Sequence, residues 1–177
     1  LSMTTTTTKA RIFDLGLSDY DKAHQLQLQM VEKRIAGEAQ DTFIFTSHPP
    51  TITIGRGGGD KNVLVSDEIL AQKGVKKYEV ERGGDVTFHG PGQLVIYPIL
   101  KLGAHEADAH GYLANLEEVA IRTAADFGVH AFRREGKNGA WTDAGKIAAI
   151  GFRLKRWVTL HGMSFNVSPD LAGFSLI

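Results

Sequence analysis

The sequence predicts an α+β fold, a single domain in which a mixed β-sheet is flanked by helices. Three observations carry this. The chain has 177 residues and is 42% hydrophobic, enough for one substantial core. Two segments repeat apolar residues at helical spacing. Around them lie seven short runs rich in β-branched and aromatic residues, bounded by Gly, Pro and Asp. Strands in pairs, interrupted by two amphipathic helices, give a mixed sheet covered by helices rather than an alternating α/β array.

The first helix is expected over Ser18–Gly37. Ser18 with Asp21 resembles a capping box, Ala23, Leu26, Met30, Val31 and Ile35 recur on one face, and Gly37 stops it. The second is expected from Ala109 to Phe127, with Leu113, Leu116, Ala120, Ala124 and Phe127 on one stripe and Gly128 as the stop. Strands are expected at Arg11–Leu15, Thr42–Ser47, Thr51–Ile54, Lys77–Glu81, Gln93–Leu100, Lys146–Leu154 and Thr159–Asn166. Trp141–Lys146 reads as a hairpin turn feeding the penultimate strand. Leu1-Ser2 ahead of Met3 reads as an expression remnant and the Thr4–Thr8 run as a polar tail. The expected folded domain is therefore 9–177, with 1–8 unstructured.

No stretch approaches the roughly 18 apolar residues of a membrane span, and no basic-then-apolar signal opens the chain. The absence of cysteine leaves no disulfide framework, so the expected location is the cytoplasm. Net charge is zero, from 20 basic and 20 acidic residues, but it is unevenly spread. Between Ala131 and Arg156, seven basic residues (Arg133, Arg134, Lys137, Lys146, Arg153, Lys155, Arg156) face only Glu135 and Asp143, a local charge of +5. Such asymmetry suits an anionic partner, with an ordinary solvated hairpin as the alternative. Nucleic acid is not the expected partner, because no aromatic interleaving or reading motif accompanies the charge.

Two glycine-rich segments follow strand-like runs. Gly55-Arg-Gly-Gly-Gly-Asp60 lacks the Gly-Lys-Ser/Thr ending of a phosphate loop and reads as a flexible turn. Arg82-Gly-Gly-Asp-Val-Thr-Phe-His-Gly-Pro-Gly-Gln93 is more specific. Five of its twelve residues are Gly or Pro, with Arg, Thr, His and Gln between them. Glycines let a backbone approach a ligand and aim N–H groups at it. Arg82 suits a carboxylate or a pantetheine-type oxygen, and Thr87 and His89 offer hydrogen bonds. Taken singly, His89 reads as a structural histidine; the constellation points to a site.

The pattern Arg-Gly-Gly-x-x-Thr-aromatic-His-x-x-Gly-Gln is the signature of the lipoyl/octanoyl transferase family, and residues 82–93 match it throughout. Asp14-Leu-Gly-Leu-Ser-Asp-Tyr20 resembles the family's opening segment. Ser47-His-Pro-Pro50 with Thr53-Ile-Gly-Arg56 is similar to its next block. Lys146-Ile-Ala-Ala-Ile-Gly151 resembles its lysine strand, and His161-Gly-Met-Ser-Phe-Asn166 followed by Asp170-Leu its pocket strand. The chain is thereby identified as a member, with a fold similar to the catalytic domain of lipoate/biotin protein ligases.

The resemblance implies a two-step acyl transfer. A cysteine thiolate takes the octanoyl group from octanoyl-acyl carrier protein as a thioester. A lysine of a lipoyl domain, in 2-oxoacid dehydrogenases or the glycine cleavage H protein, then receives it as an amide. The cysteine sits in a Pro-Cys-Gly turn that, by the family's spacing, falls three residues past Ile177. Lys146 lowers the pKa of that thiol. Arg82, Gly83, Gly84, Asp85, Val86, Thr87, Phe88 and His89, together with Ala149, Ile150, Gly151, Gly162, Met163 and Ser164, bind the substrate. No cofactor and no metal is implied, since the phosphopantetheine belongs to the carrier. The basic Ala131–Arg156 segment, bordering the pocket mouth, steers the acidic carrier, and the protein acts as a monomer. Two alternatives stay open: an ATP-dependent lipoate- or biotin-type ligase, and a catalytically dead module that binds carrier or lipoyl domains.

Overall fold

The computed structural model describes residues 9–103 and 107–177; the tail expected at residues 1–8 lies outside the described residues. Strand β1 (Arg11–Leu17) leads into helix α1 (Tyr20–Ala36), followed by β2 (Thr42–Ser47) and β3 (Thr51–Ile54). A short helix α2 (Asp67–Gln72) precedes β4 (Lys76–Glu79), β5 (Val86–His89) and β6 (Gln93–Ile99). Helix α3 (Ala109–Asp126) is followed by β7 (Phe132–Arg134), β8 (Lys137–Thr142), β9 (Gly145–Lys155), β10 (Val158–Asn166) and a final 3-10 turn at Leu171–Leu176.

The strands make two sheets where the sequence pattern suggested one. Seven form a mixed sheet in the order β1-β2-β6-β10-β9-β8-β7, parallel at β1–β2 and antiparallel elsewhere. The other three form a small sheet, β4-β3-β5. Helix α1 buries Ala23, Met30 and Val31 against Ile44, Val95, Tyr97, Ile99, Val158 and Leu160 of the large sheet, with Leu26 and Ile35 at the edge of that cluster. Helix α3 packs Ala120 against Ala140, Ala148 and Met163. The small sheet has its own core of Ile52, Ile54, Leu70, Val75, Phe88 and Leu176.

Local details depart from the sequence pattern for physical reasons. The N-cap of α1 is Asp19, with no side-chain cap bond, and Ser18 lies ahead of the helix, its backbone N–H donated to Ser47 O in β2. On α3 the cap is built as the residues suggest, Asp108 accepting from the His110 and Gly111 N–H groups. Phe127 leaves its stripe: it lies beyond the last turn and is 82% exposed. Pro98 stands inside the central strand β6, where it has no N–H to give. The neighbouring strand adapts. His161 adopts a left-handed φ of 61°, and its N–H turns to Gln27 Oε1 of α1 at 3.0 Å.

Candidate active site

A cavity of about 1260 Å³ opens between the two sheets. From the small-sheet side it is lined by Arg82, Gly84, Asp85, Val86, Thr87 and His89. From the large sheet come Lys146, Ala149, Ile150, Gly151, Gly162, Met163 and Ser164. Segments far apart in sequence thus meet at one place. Two of the expected binding residues stand behind the wall. Gly83 gives its N–H to Phe152 O at 2.9 Å, and Phe88 is buried in the small-sheet core against Phe174. The wall also includes Tyr20, Thr53 and His161, which lie in the family-like blocks but were not among the expected binding residues, and Tyr97 and Trp141, which lie outside those blocks.

The Gly55–Asp60 segment is a clamp where a flexible turn was expected. The N–H groups of Gly55, Arg56 and Gly57 are donated to the carbonyls of Asp85, Arg82 and Gly84 at 3.2, 3.0 and 2.9 Å. A β-carbon at Gly55 would lie 2.5 Å from Gly84 O, so only glycine allows this approach. The amides a phosphate would need are spent on the neighbouring loop. Asp85 is likewise occupied. Its carboxylate accepts from Asn62 Nδ2 and the Val86 N–H at 2.7 Å, which hold its pKa below the usual carboxylate range.

Arg82 is 8% exposed. Its guanidinium donates to Thr53 O at 2.7 Å, to Thr53 Oγ1 at 2.9 Å and to Gly83 O at 3.0 Å, all neutral oxygens. Burial pulls its pKa below the ordinary arginine value, yet the group stays a cation. Thr53 Oγ1 in turn faces His89 Nε2 at 3.5 Å, and His89 Nδ1 lies 2.7 Å from Gln93 Oε1. Because an amide oxygen only accepts, the His89 proton sits on Nδ1. Gln93 Nε2 donates to Asn166 Oδ1 at 2.9 Å, and Asn166 Nδ2 to the Lys146 carbonyl at 3.1 Å. A continuous hydrogen-bonded chain therefore links Arg82 on the small-sheet side to the Lys146 backbone in the large sheet.

Desolvation pushes the pKa values of His89 and His161 down to about 3, so both rings are neutral at physiological pH, each with a single ring proton. Lys146 is different. It is the second residue of the long strand β9, just after the β8–β9 turn. Its residue surface is exposed, but its ammonium rests 4.7 Å from the centroid of the Trp141 ring. Partial burial, with the Lys137 cation as second cause, holds its pKa below the ordinary lysine value. It is the cavity's candidate for proton transfer.

The expected basic docking face is smaller than the sequence suggested. Arg133 is bound by Glu117 and Glu118 at 3.2 and 2.9 Å, Arg153 pairs with Glu81, and Lys155 with Glu32. Strand β9 also carries Lys155 and Arg156 away from Lys146. At ~3.3 Å per residue its far end lies roughly 30 Å off, several screening lengths away. What remains basic at the cavity is Lys137, which lines it with Lys146, and behind it Arg134, 5.3 Å from the Trp141 ring centroid.

Residues 19–177 match the family model of the lipoyl protein ligase A/B catalytic domain. The chain belongs to the lipoyl/octanoyl transferase family. Membership makes it an acyltransferase. It is 48% identical over 166 residues to an octanoyltransferase of Syntrophotalea carbinolica, covering 94% of this chain and 75% of the relative. It is 46% identical over 171 residues to one of Caldicellulosiruptor saccharolyticus, covering 96% and 73%. Among solved structures it resembles a lipoate-protein ligase A bound with ATP, at a TM-score of 0.75 and 15% identity over 96% of this chain and 71% of that one. It also resembles the bipartite lipoate protein ligase of Thermoplasma acidophilum, described with its E2 lipoyl domain, at a TM-score of 0.74 and 16% identity over 93% and 64%. These two likenesses establish the fold: one domain with a mixed sheet and packed helices, as the sequence predicts. Among the described residues no helix is long and apolar enough to cross a membrane.

Proposed function

We propose that this chain transfers an octanoyl group from octanoyl-acyl carrier protein to a lysine of lipoyl domains, in the cytoplasm, through a cysteine thioester. The observation that carries the reading is the convergence of the Arg82–His89 segment, Lys146, Ala149–Gly151 and Gly162–Ser164 on one cavity. The nucleophile is a cysteine expected shortly after Ile177, a residue that lines the same cavity as Lys146. Neutral Lys146 takes the thiol proton, and the thiolate attacks the thioester carbonyl. The tetrahedral adduct collapses as the Lys146 ammonium returns the proton to the departing pantetheine sulfur. In the second half, Lys146 accepts a proton from the incoming lysine amine, and the cysteine leaves as the amide forms. Burial of the alkyl tail at ~0.8 kcal/mol per methylene contributes roughly 5 kcal/mol, enough to favour eight carbons over a much shorter chain.

The test is to mix the full-length protein with octanoyl-carrier protein in the absence of nucleotide. Intact-mass spectrometry is expected to show a discrete octanoyl adduct that a lipoyl domain then discharges. An absolute ATP requirement would place the protein with the ligases. The occupied amides of Gly55–Gly57 speak for the ATP-free reaction, since the loop offers no phosphate cradle.

The rim geometry yields a second expectation. Arg156→Glu, at the far end of β9, leaves the Michaelis constant for octanoyl-carrier protein within about twofold of wild type at any salt concentration. A salt-dependent rise of tenfold would restore the far hairpin as a docking surface.

A further inference from the structure

We propose that Trp141 is a positioning residue: its ring, with the Lys137 ammonium on the same ring, fixes the Lys146 amine at the cavity rim. This rests on the reading of Lys146 as the proton-transfer group. Three facts carry it. Trp141 and Lys146 are directly opposed in the β8–β9 pairing, so the backbone itself sets them side by side. The Lys146 Nζ lies 4.7 Å from the ring centroid and the Lys137 Nζ 5.5 Å, both within the range of a cation–π contact. Trp141 also lines the cavity, so the side chain that supports the lysine faces the substrate space.

A bare surface lysine samples many rotamers, and its ammonium is fully hydrated. Here the ring gives the four-carbon stem one face to lie on. The two ammonium groups near one ring can be no more than about 10 Å apart, close enough for the Lys137 charge to disfavour that of Lys146. Among the described residues no carboxylate forms an ion pair with Lys146. The acids on neighbouring elements are otherwise placed. Glu135 and Asp143 sit in the β7–β8 and β8–β9 turns, Glu117 binds Arg133, and Asp170 caps the Ala172 N–H. From β10, Asn166 presents a neutral amide to the Lys146 carbonyl. Arg134, 5.3 Å from the Trp141 centroid, is the remaining charge on the ring, and it too is positive. The ring itself attracts the ammonium form and sets its position, while partial burial and the Lys137 charge act the other way and hold the pKa below the ordinary lysine value.

The experiment is a pH titration of the lysine ε-methylene signals by NMR in the full-length protein labelled at lysine carbons, with Lys146→Arg used to assign the resonance. In wild type the Lys146 methylenes are expected to carry a ring-current shift that Trp141→Leu abolishes and Trp141→Phe retains in part. Lys137→Gln is expected to raise the Lys146 midpoint by roughly 0.3–1 unit, because one like charge is gone. Trp141→Leu should lower kcat for a soluble octanoyl thioester by about tenfold with KM little changed, and Trp141→Phe should recover most of it. Lys146 methylenes without a ring-current shift, or a midpoint indifferent to Lys137→Gln, overturn the proposal even if Lys146 proves to be the base. Conversely, full transfer activity in Lys146→Ala would remove the base reading, while the two NMR outcomes would still decide whether Trp141 holds the amine.

Discussion

Lys146→Ala is expected to lower the rate of acyl-enzyme formation at pH 7 by about 10²–10³-fold, the range for loss of a positioned general base. The defect should shrink as pH rises. A thiol with a pKa near 8.5 is about 3% thiolate at pH 7 and about 90% at pH 9.5, so the variant should regain roughly thirtyfold over that span. Wild type should gain less, because a lysine whose pKa burial and Lys137 hold down already supplies the thiolate at neutrality. The sign is fixed by which proton is removed: alkali replaces the amine's task for the cysteine. Single-turnover measurements from pH 6.5 to 9.5 with a soluble octanoyl thioester are the check. A defect of constant size across that range would instead mean that Lys146 orients the substrate.

Gly162→Ala should cost about 3 kcal/mol of folding stability, more than most single substitutions in a domain of this size. A β-carbon there would stand 2.3 Å from Ile96 O and 2.5 Å from Pro98 Cδ. Neither atom can retreat, since one is backbone of the central strand and the other is part of a proline ring. Relief requires β10 to move off β6, which carries Met163 and Ser164 out of the cavity wall. Urea unfolding should therefore show a lowered midpoint, and octanoyl transfer by the surviving folded fraction should fall with it. Gly59→Ala is the matched control, since a β-carbon at Gly59 meets nothing within 4 Å and its φ of −167° is ordinary extended backbone. A midpoint for Gly162→Ala equal to that of the control would mean the two strands are free to part.

Both residues lie in segments that the sequence picked out, yet the reasons for them differ in visibility. Strands β1, β2, β3, β4, β6, β9 and β10 were legible as short runs rich in β-branched and aromatic residues bounded by Gly, Pro and Asp, and α1 and α3 because their stripes run for four turns or more. The split into two sheets was not, because the pairings that make it join residues distant along the chain, such as Ile52 with Phe88. The same cause hid β5. Val86–His89 sits inside a stretch so rich in glycine that it reads as loop, and only the partner strand β3 makes it a strand. Strands β7 and β8 are polar and short, and α2 buries only Leu70, so neither periodicity nor burial announced them. Within the site, the Arg82–His89 motif and Lys146 were readable as residue types at fixed spacing. Trp141 was not. It read as the start of a turn, and its place beside Lys146 follows from strand register, which shifts between Ala140 and Trp141.

The hydrogen-bonded chain from Arg82 to the Lys146 carbonyl has a direction. It starts on a guanidinium, which can only donate, and ends on a carbonyl, which can only accept. Every link between them must therefore hand its proton the same way, and no tautomer of His89 or flip of Gln93 or Asn166 reverses the series without leaving a buried group bare. The two sheets are joined by a keyed connector with one permitted setting. A carboxylate in place of the Gln93 amide would match its size and still break the series, since it has no N–H for Asn166. The wall that carries the motif and the strand that carries the lysine would then be held in line by packing, the Gly83 N–H to Phe152 O bond and the Arg153–Glu81 pair.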